Sequence, residues 1–175
     1  MPECTFPPEQ GSFQMMHDGS RAEELLEAGK YEWVADYSRR MIQSKTASLV
    51  SEPSVEIVLL GSLQTQSAPT HLWNVSVAPD VDLADVFSKY DRPTVWDVLR
   101  FGALYPDEQR KAALIFPHEP WSGPHGPTYV LVLRTQAGAR GLSYVTYSGA
   151  MIGNWWWDCV VAVRRRGGPQ LSVVS

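Results

Sequence analysis

Residues 92–110 read R-P-T-V-W-D-V-L-R-F-G-A-L-Y-P-D-E-Q-R, and this stretch decides how the fold is read. Pro93 fixes its own φ and pushes Arg92 into an extended conformation. Thr94 is a good helix N-cap, and Asp97, three residues on, can interact with the open amides of the first turn. Val95, Val98 and Leu99 recur at i, i+3 and i+4, which gives one apolar face. Gly102 and Pro106 close the element near Tyr105. The expectation is a short helix, entered from a rigid step, against which the flanking strands pack. It carries no obvious catalytic group.

Downstream of this helix, Ala112 to Phe116 is a short apolar run, and Tyr129 to Leu133 is apolar on both faces, as a central strand is. Residues 135–141 form a turn, and Leu142 to Tyr147 alternates again. A last strand runs from Asp158 to Arg164, with Cys159, Val161 and Val163 on one face. Upstream, Asp82 caps a short helix through Tyr90, with Leu83, Val86 and Phe87 at helical spacing. Val55 to Leu60 and Leu72 to Val77 read as strands. Ser20 and Glu23 stand at capping-box spacing before Leu25 and Leu26, and Gly29 is the natural end of that helix. Residues 31–42 are compatible with a second helix or with a turn into irregular structure. Residues 1–19, rich in Pro, Gly and polar groups, read as an extended arm that Phe13, Met15 and Met16 pin to the surface.

Hairpin-like strands with glycine-rich turns favour antiparallel pairing, and helices that do not alternate strictly with strands favour α+β. The predicted architecture is a single compact α+β domain over residues 20–166. It has a mixed or antiparallel sheet, short helices, the arm of residues 1–19 and a tail of residues 167–175. A length of 175 residues fits one domain with one sizeable core.

Composition narrows the function classes. A formal charge of −4 disfavours a nucleic-acid surface, which needs a basic field. The local exception is Arg164-Arg165-Arg166, which reads first as a solvated strand end; Arg164 is also a candidate binding residue. Cys4 and Cys159 make neither a metal motif nor a disulfide framework, so two free thiols are expected. No stretch approaches the roughly 20 apolar residues of a membrane span. With no signal-peptide pattern at the N-terminus, the expected location is cytoplasmic.

The region from about Leu25 to Arg166 resembles a group of uncharacterised bacterial proteins. The resemblance rests on L-L-E-A-G-K-Y-E-W-V (25–34), on the 92–110 stretch, and on W-D-C-V-V-A-V-R-R (157–165). More distantly, R-P-T-V-W-D-V-L-R-F is similar to the R-L-P-T-E-x-E-W-x-x-A segment of the formylglycine-generating-enzyme group. The closing V-V-A-V-R-R is similar to that group's terminal strand. This second resemblance implies a C-type-lectin-like scaffold. The chain lacks that group's G-N-V-W-E-W and R-G-G-S-W blocks, which Gly153-Asn154-Trp155 only echoes, and it lacks the paired active-site cysteines. The implication is the scaffold without the oxidase chemistry.

Candidate sites lie in two loops. Residues 117–127 (P-H-E-P-W-S-G-P-H-G-P) hold four prolines, so the excursion is stiff, and Trp121 on it is a plausible partner anchor. His118, Glu119 and His125 in the same loop are ligand types for a metal, although the spacing matches no known motif. In Trp155-Trp156-Trp157, alternation exposes one or two indoles unless something covers them, which makes Trp155 and Trp156 candidates for an aromatic binding surface. No nucleophile elbow and no phosphate-binding glycine loop is present. The first expectation is therefore a non-catalytic binding module for a protein or carbohydrate partner, with no cofactor. The rivals are a metal-dependent hydrolase built on His118, Glu119 and His125, and a structural subunit of a larger assembly.

Overall fold

The computed structural model describes residues 9–44, 54–61, 81–148, 151–152 and 159–167. Among these the chain runs β1 (Glu9–Met16), α1 (Ala22–Ala28), β2 (Trp33–Val34), α2 (Asp36–Gln43), β3 (Ser54–Leu60), β4 (Val81–Asp82), α3 (Ala84–Lys89), β5 (Tyr90–Asp91), α4 (Val95–Leu104), α5 (Glu108–Lys111), β6 (Ala113–Ile115), β7 (Trp121–Ser122), β8 (Thr128–Gln136), β9 (Ala139–Ser148), β10 (Met151–Ile152) and β11 (Cys159–Arg165). The strands join in one sheet along the path β1-β3-β11-β6-β8-β9-β10-β4, with β2 added to β9, β5 to β11 and β7 to β8. β11 with β6 and β2 with β9 are parallel, and the other pairs are antiparallel. The architecture is α+β with a mixed sheet. The expected strand at Leu72–Val77, the Trp155–Trp157 triplet and residues 168–175 lie outside the described residues.

Strand alternation sorts the core into two layers. Leu131, Leu133 and Leu142 face one side, where they meet Leu25 of α1, Met41 and Ile42 of α2, and Val95, Val98, Leu99 and Phe101 of α4. Val130, Val132, Val145 and Val161 face the other side, together with Leu83, Val86 and Tyr90 around α3. The apolar stripe read from residues 95–99 is thus the face that α4 sets on the sheet.

α4 starts as expected. The Asp97 amide donates to Thr94 Oγ1 at 3.3 Å, and the Thr94 amide donates back to Asp97 Oδ2 at 2.8 Å, closing a capping box. The helix ends at Tyr105 as expected, but not through Gly102. Gly102 does not terminate the helix; it is a buried position within it, and a Cβ there would overlap the Tyr31 hydroxyl. Gly29 does stand at the end of α1, as its C-cap, but it is right-handed at φ −68°, and Lys30 takes the left-handed turn at φ 48°. A Cβ on Gly29 would strike the Tyr31 ring. Both glycines make room for one tyrosine, a requirement of close approach.

Arg140 closes this corner. Its guanidinium lies 5.2 Å from the centre of the Tyr31 ring. It donates from Nη1 to the Gly29 carbonyl at 3.0 Å, and from Nη2 to the Gly102 carbonyl at 2.9 Å and Gln109 Oε1 at 3.1 Å. The Gln109 amide donates in turn to the Arg134 carbonyl at 2.8 Å and the Gly141 carbonyl at 3.1 Å. One buried cation therefore ties the ends of α1 and α4 to the β8–β9 hairpin. Burial raises the pKa of the Tyr31 hydroxyl, and the Arg140 charge pulls it part of the way back.

Four further expectations change. Residues 9–16, read as part of the arm, form a strand antiparallel to β3, because Phe13 and Met15 alternate inward while Met16 stays 66% exposed. The first helix starts one residue later than read and has only the returning half of a capping box: the Arg21 amide donates to Glu24 Oε2 at 2.8 Å, while the Arg21 side chain, which has no acceptor, makes no cap bond. Asp82 does not cap α3; it pairs with Met151 in a short strand, and Leu83 is the N-cap residue. The turn placed at 135–141 shrinks to Ala137 and Gly138, both left-handed at φ 49° and 82°, so Gln136 pairs with Ala139. Two consecutive left-handed residues suit the strand twist of a two-residue hairpin, and the flanking residues are released for pairing.

Candidate functional site

The loop of residues 117–127 is held at its base by His118. The side chain is 1% exposed, and the Leu131 amide donates to Nε2 at 2.9 Å. An amide can only donate, so Nε2 is the acceptor and Nδ1 carries the proton, which goes to the Glu119 carbonyl at 2.7 Å. Both ring nitrogens are thereby engaged with backbone. Arg92 adds a second latch, with Nη1 at 3.2 Å from both the Pro117 and His118 carbonyls and the guanidinium 4.4 Å from the Phe87 ring centre. His125 and Glu119 are exposed. Among the described residues no group of three or more His, Cys, Asp or Glu side chains is placed to hold a metal ion. His118→Ala is expected to lower stability by about 1–3 kcal/mol, the cost of leaving the buried Leu131 amide unpaired. Urea unfolding measures this, and amide exchange at Leu131 should quicken.

The latched loop delivers Trp121. It enters β7, pairs with Tyr129 of β8, and turns back through Gly126 at φ 99°. Gly123 lies under the Tyr129 ring, where a Cβ would stand 2.7 Å from Cε2. Four aromatic rings then gather. Tyr37 of α2 has ring centres at 6.0 Å from Trp121, 5.2 Å from Tyr129 and 5.2 Å from Tyr144. Tyr129 and Tyr144 meet edge to face at 5.1 Å. The exposed Arg40 places its guanidinium 5.8 Å from the Tyr37 ring centre. Tyr129 is buried, while Trp121, Tyr37 and Tyr144 are half-buried, with one side on the core and the other toward solvent. Burial first, and then the Tyr37 and Tyr144 hydroxyls beside it, raise the pKa of Tyr129. The rings touch one another too closely to enclose a ligand. The arrangement is a rigid aromatic surface, not a cage.

The chain was compared with protein-family models, curated proteins and solved structures. None matches.

Arg164 lies elsewhere. It is not a solvated strand end: it donates from Nε to Asp97 Oδ2 at 2.6 Å and from Nη2 to Oδ1 at 3.1 Å. His17 Nε2 adds a third contact, to Asp97 Oδ1, at 2.8 Å. Burial pushes the Asp97 carboxyl up, but the His17 and Arg164 hydrogen bonds, the Arg164 charge and the Thr94 amide together hold it below its ordinary value. The neighbouring arginines are engaged as well. Arg165 meets Glu9 at 3.0 Å and Glu56 at 2.9 Å, and Arg166 meets Asp91 at 3.1 Å. The Tyr90 hydroxyl donates to Glu9 at 2.6 Å, and burial together with that carboxylate pushes its pKa up to about 12. The basic run fastens β11 to α4, β1, β3 and β5.

Of the residues singled out by sequence, the structure sets Trp121 in an aromatic surface and His118 beneath it, and it places Arg164 in the core frame. Trp155 and Trp156 lie outside the described residues. The Tyr37, Tyr129 and Tyr144 partners of Trp121 carry no local signal that would have marked them as a group, since they come from three separate elements.

Proposed function

We propose that the chain is a non-catalytic binding module whose Trp121 surface docks a protein partner. The observation that carries this reading is the Tyr37–Trp121–Tyr129–Tyr144 cluster, half open to solvent and held on a hairpin that His118 and Arg92 latch in place. Rigid aromatic side chains lose little freedom on binding and contribute large contact areas, so they serve as interface anchors. Arg40 at the margin suits a partner with a carboxylate or a further aromatic ring facing it. A C-type-lectin-like scaffold, in which loops face the partner, belongs to this same proposal, as do Trp155 and Trp156 as further contacts. Trp121→Ala should weaken capture of the partner from a native-host lysate by about 2 kcal/mol or more, the scale of an aromatic hot spot. Retention of every captured protein by the folded variant would overturn the reading. A glycan bound in place of a protein would move it to carbohydrate.

A further inference from the structure

On the sheet face opposite Tyr129 and Leu131 lies a cavity of about 320 Å³, at the lower end of the roughly 300–1,000 Å³ typical of small-molecule sites. Its floor is apolar, made by Ala113, Ile115, Val132 and Val145. Arg134 and Arg110 stand at its edge with the hydroxyls of Thr135 and Ser143, and no carboxylate lines it. In a chain of net charge −4, this is a local reversal of sign.

Arg134 is the informative residue. Arg110 already has the Gly138 carbonyl at 3.0 Å and Asp107 at 3.8 Å. Arg134 has no carboxylate partner among the described residues: its Nη2 meets the neutral Gln136 amide oxygen at 3.2 Å, and its plane lies 5.4 Å from the Trp33 ring centre. Its Nε is buried with no hydrogen-bond partner. Stacking on Trp33 fixes the guanidinium, and an unpaired buried donor on a cation is costly unless an acceptor arrives. The Ser143 hydroxyl, across the strand pair from Val132, is also without a partner among the described residues.

We infer that this cavity binds a small amphipathic organic acid, with its apolar body on the floor residues and its carboxylate on Arg134, assisted by Ser143. A planar guanidinium matches a carboxylate in two-point contact, and the apolar floor demands that the rest of the ligand be hydrophobic. The site has Tyr144 of β9 in common with the Trp121 surface but does not depend on the reading of that surface.

The test is calorimetric titration of the full chain with 2-naphthoate, with uncharged 2-naphthamide as control. Naphthoate should bind saturably with one site, and naphthamide about tenfold or more weakly, as loss of a charge-assisted contact implies. Arg134→Gln should weaken naphthoate by a similar factor. Ala113→Leu, which keeps every charge and fills the floor, should abolish binding, and it decides the matter should Arg134→Gln fail to fold. Trp121→Ala should leave naphthoate binding unchanged. Equal binding of acid and amide would overturn the inference, as would unaltered binding in either pocket variant or no saturation at millimolar naphthoate.

Discussion

Asp97→Asn will destabilise the protein by about 3–5 kcal/mol, the range for removing one partner of a buried ion pair. The carboxylate is fully buried, and it receives Arg164 in two-point contact, His17 and the Thr94 amide. An amide in its place keeps the shape but removes the carboxylate that meets the Arg164 guanidinium in two-point contact. Urea unfolding at neutral pH measures the loss. Replacing both charges, as Asp97→Leu with Arg164→Met, should cost clearly less than the two single changes added together, because neither half of this pair is then left without the other. Strict additivity would count against the account. The acid limb provides a second reading. The folded-state pKa of Asp97 is held below its ordinary value, so its stabilisation is fully present above the unfolded pKa of about 3.9 and is lost as pH falls through the lower folded value. Stability of the wild type should therefore decline below about pH 4, and the Asp97→Asn variant should lose this part of the slope.

Gly141→Ala is the second large effect, expected at about 3 kcal/mol, the upper part of the range for forcing extra volume into a packed site. A Cβ at Gly141 would overlap the indole of Trp33, whose ring lies directly on that glycine. Trp33 is held in place by three contacts. Its strand pairs in parallel with Gly141 and Leu142, its Nε1 donates to the Ala139 carbonyl at 3.2 Å, and the Arg134 guanidinium lies 5.4 Å from its ring centre. Displacing the indole breaks all three contacts at once. In a Trp33→Ala background the same Gly141→Ala change should cost little, since the obstacle is gone. An equal cost in both backgrounds would show that Gly141 matters for a backbone reason instead.

These two sites mark the boundary between local and long-range information. The Thr94–Asp97 box, the apolar stripe Val95–Val98–Leu99, and the alternation in β3, β8, β9 and β11 were all legible, because cap chemistry and strand period act within a few residues. The proline-shaped loop that carries Trp121 was legible, since proline content is a local property. By itself the sequence determined that the chain is α+β, where its helical organiser begins, and which faces are apolar.

The tertiary structure decided what each special residue is for. Gly102 and Gly141 look like punctuation in the sequence, yet each is small because a Tyr31 or Trp33 ring from a distant segment rests on it. Asp97 reads as a helix-start acid and becomes the counter-ion of an arginine 67 positions away. Arg140, Tyr37 and Arg134 gave no local sign of their roles, because a guanidinium's partners or an aromatic's neighbours are set by chain crossings. Side-chain period and capping depend on residues a few places apart. Close approach, ion pairing and cavity shape depend on which segments the sheet order brings together, and that order is settled only when the whole chain packs.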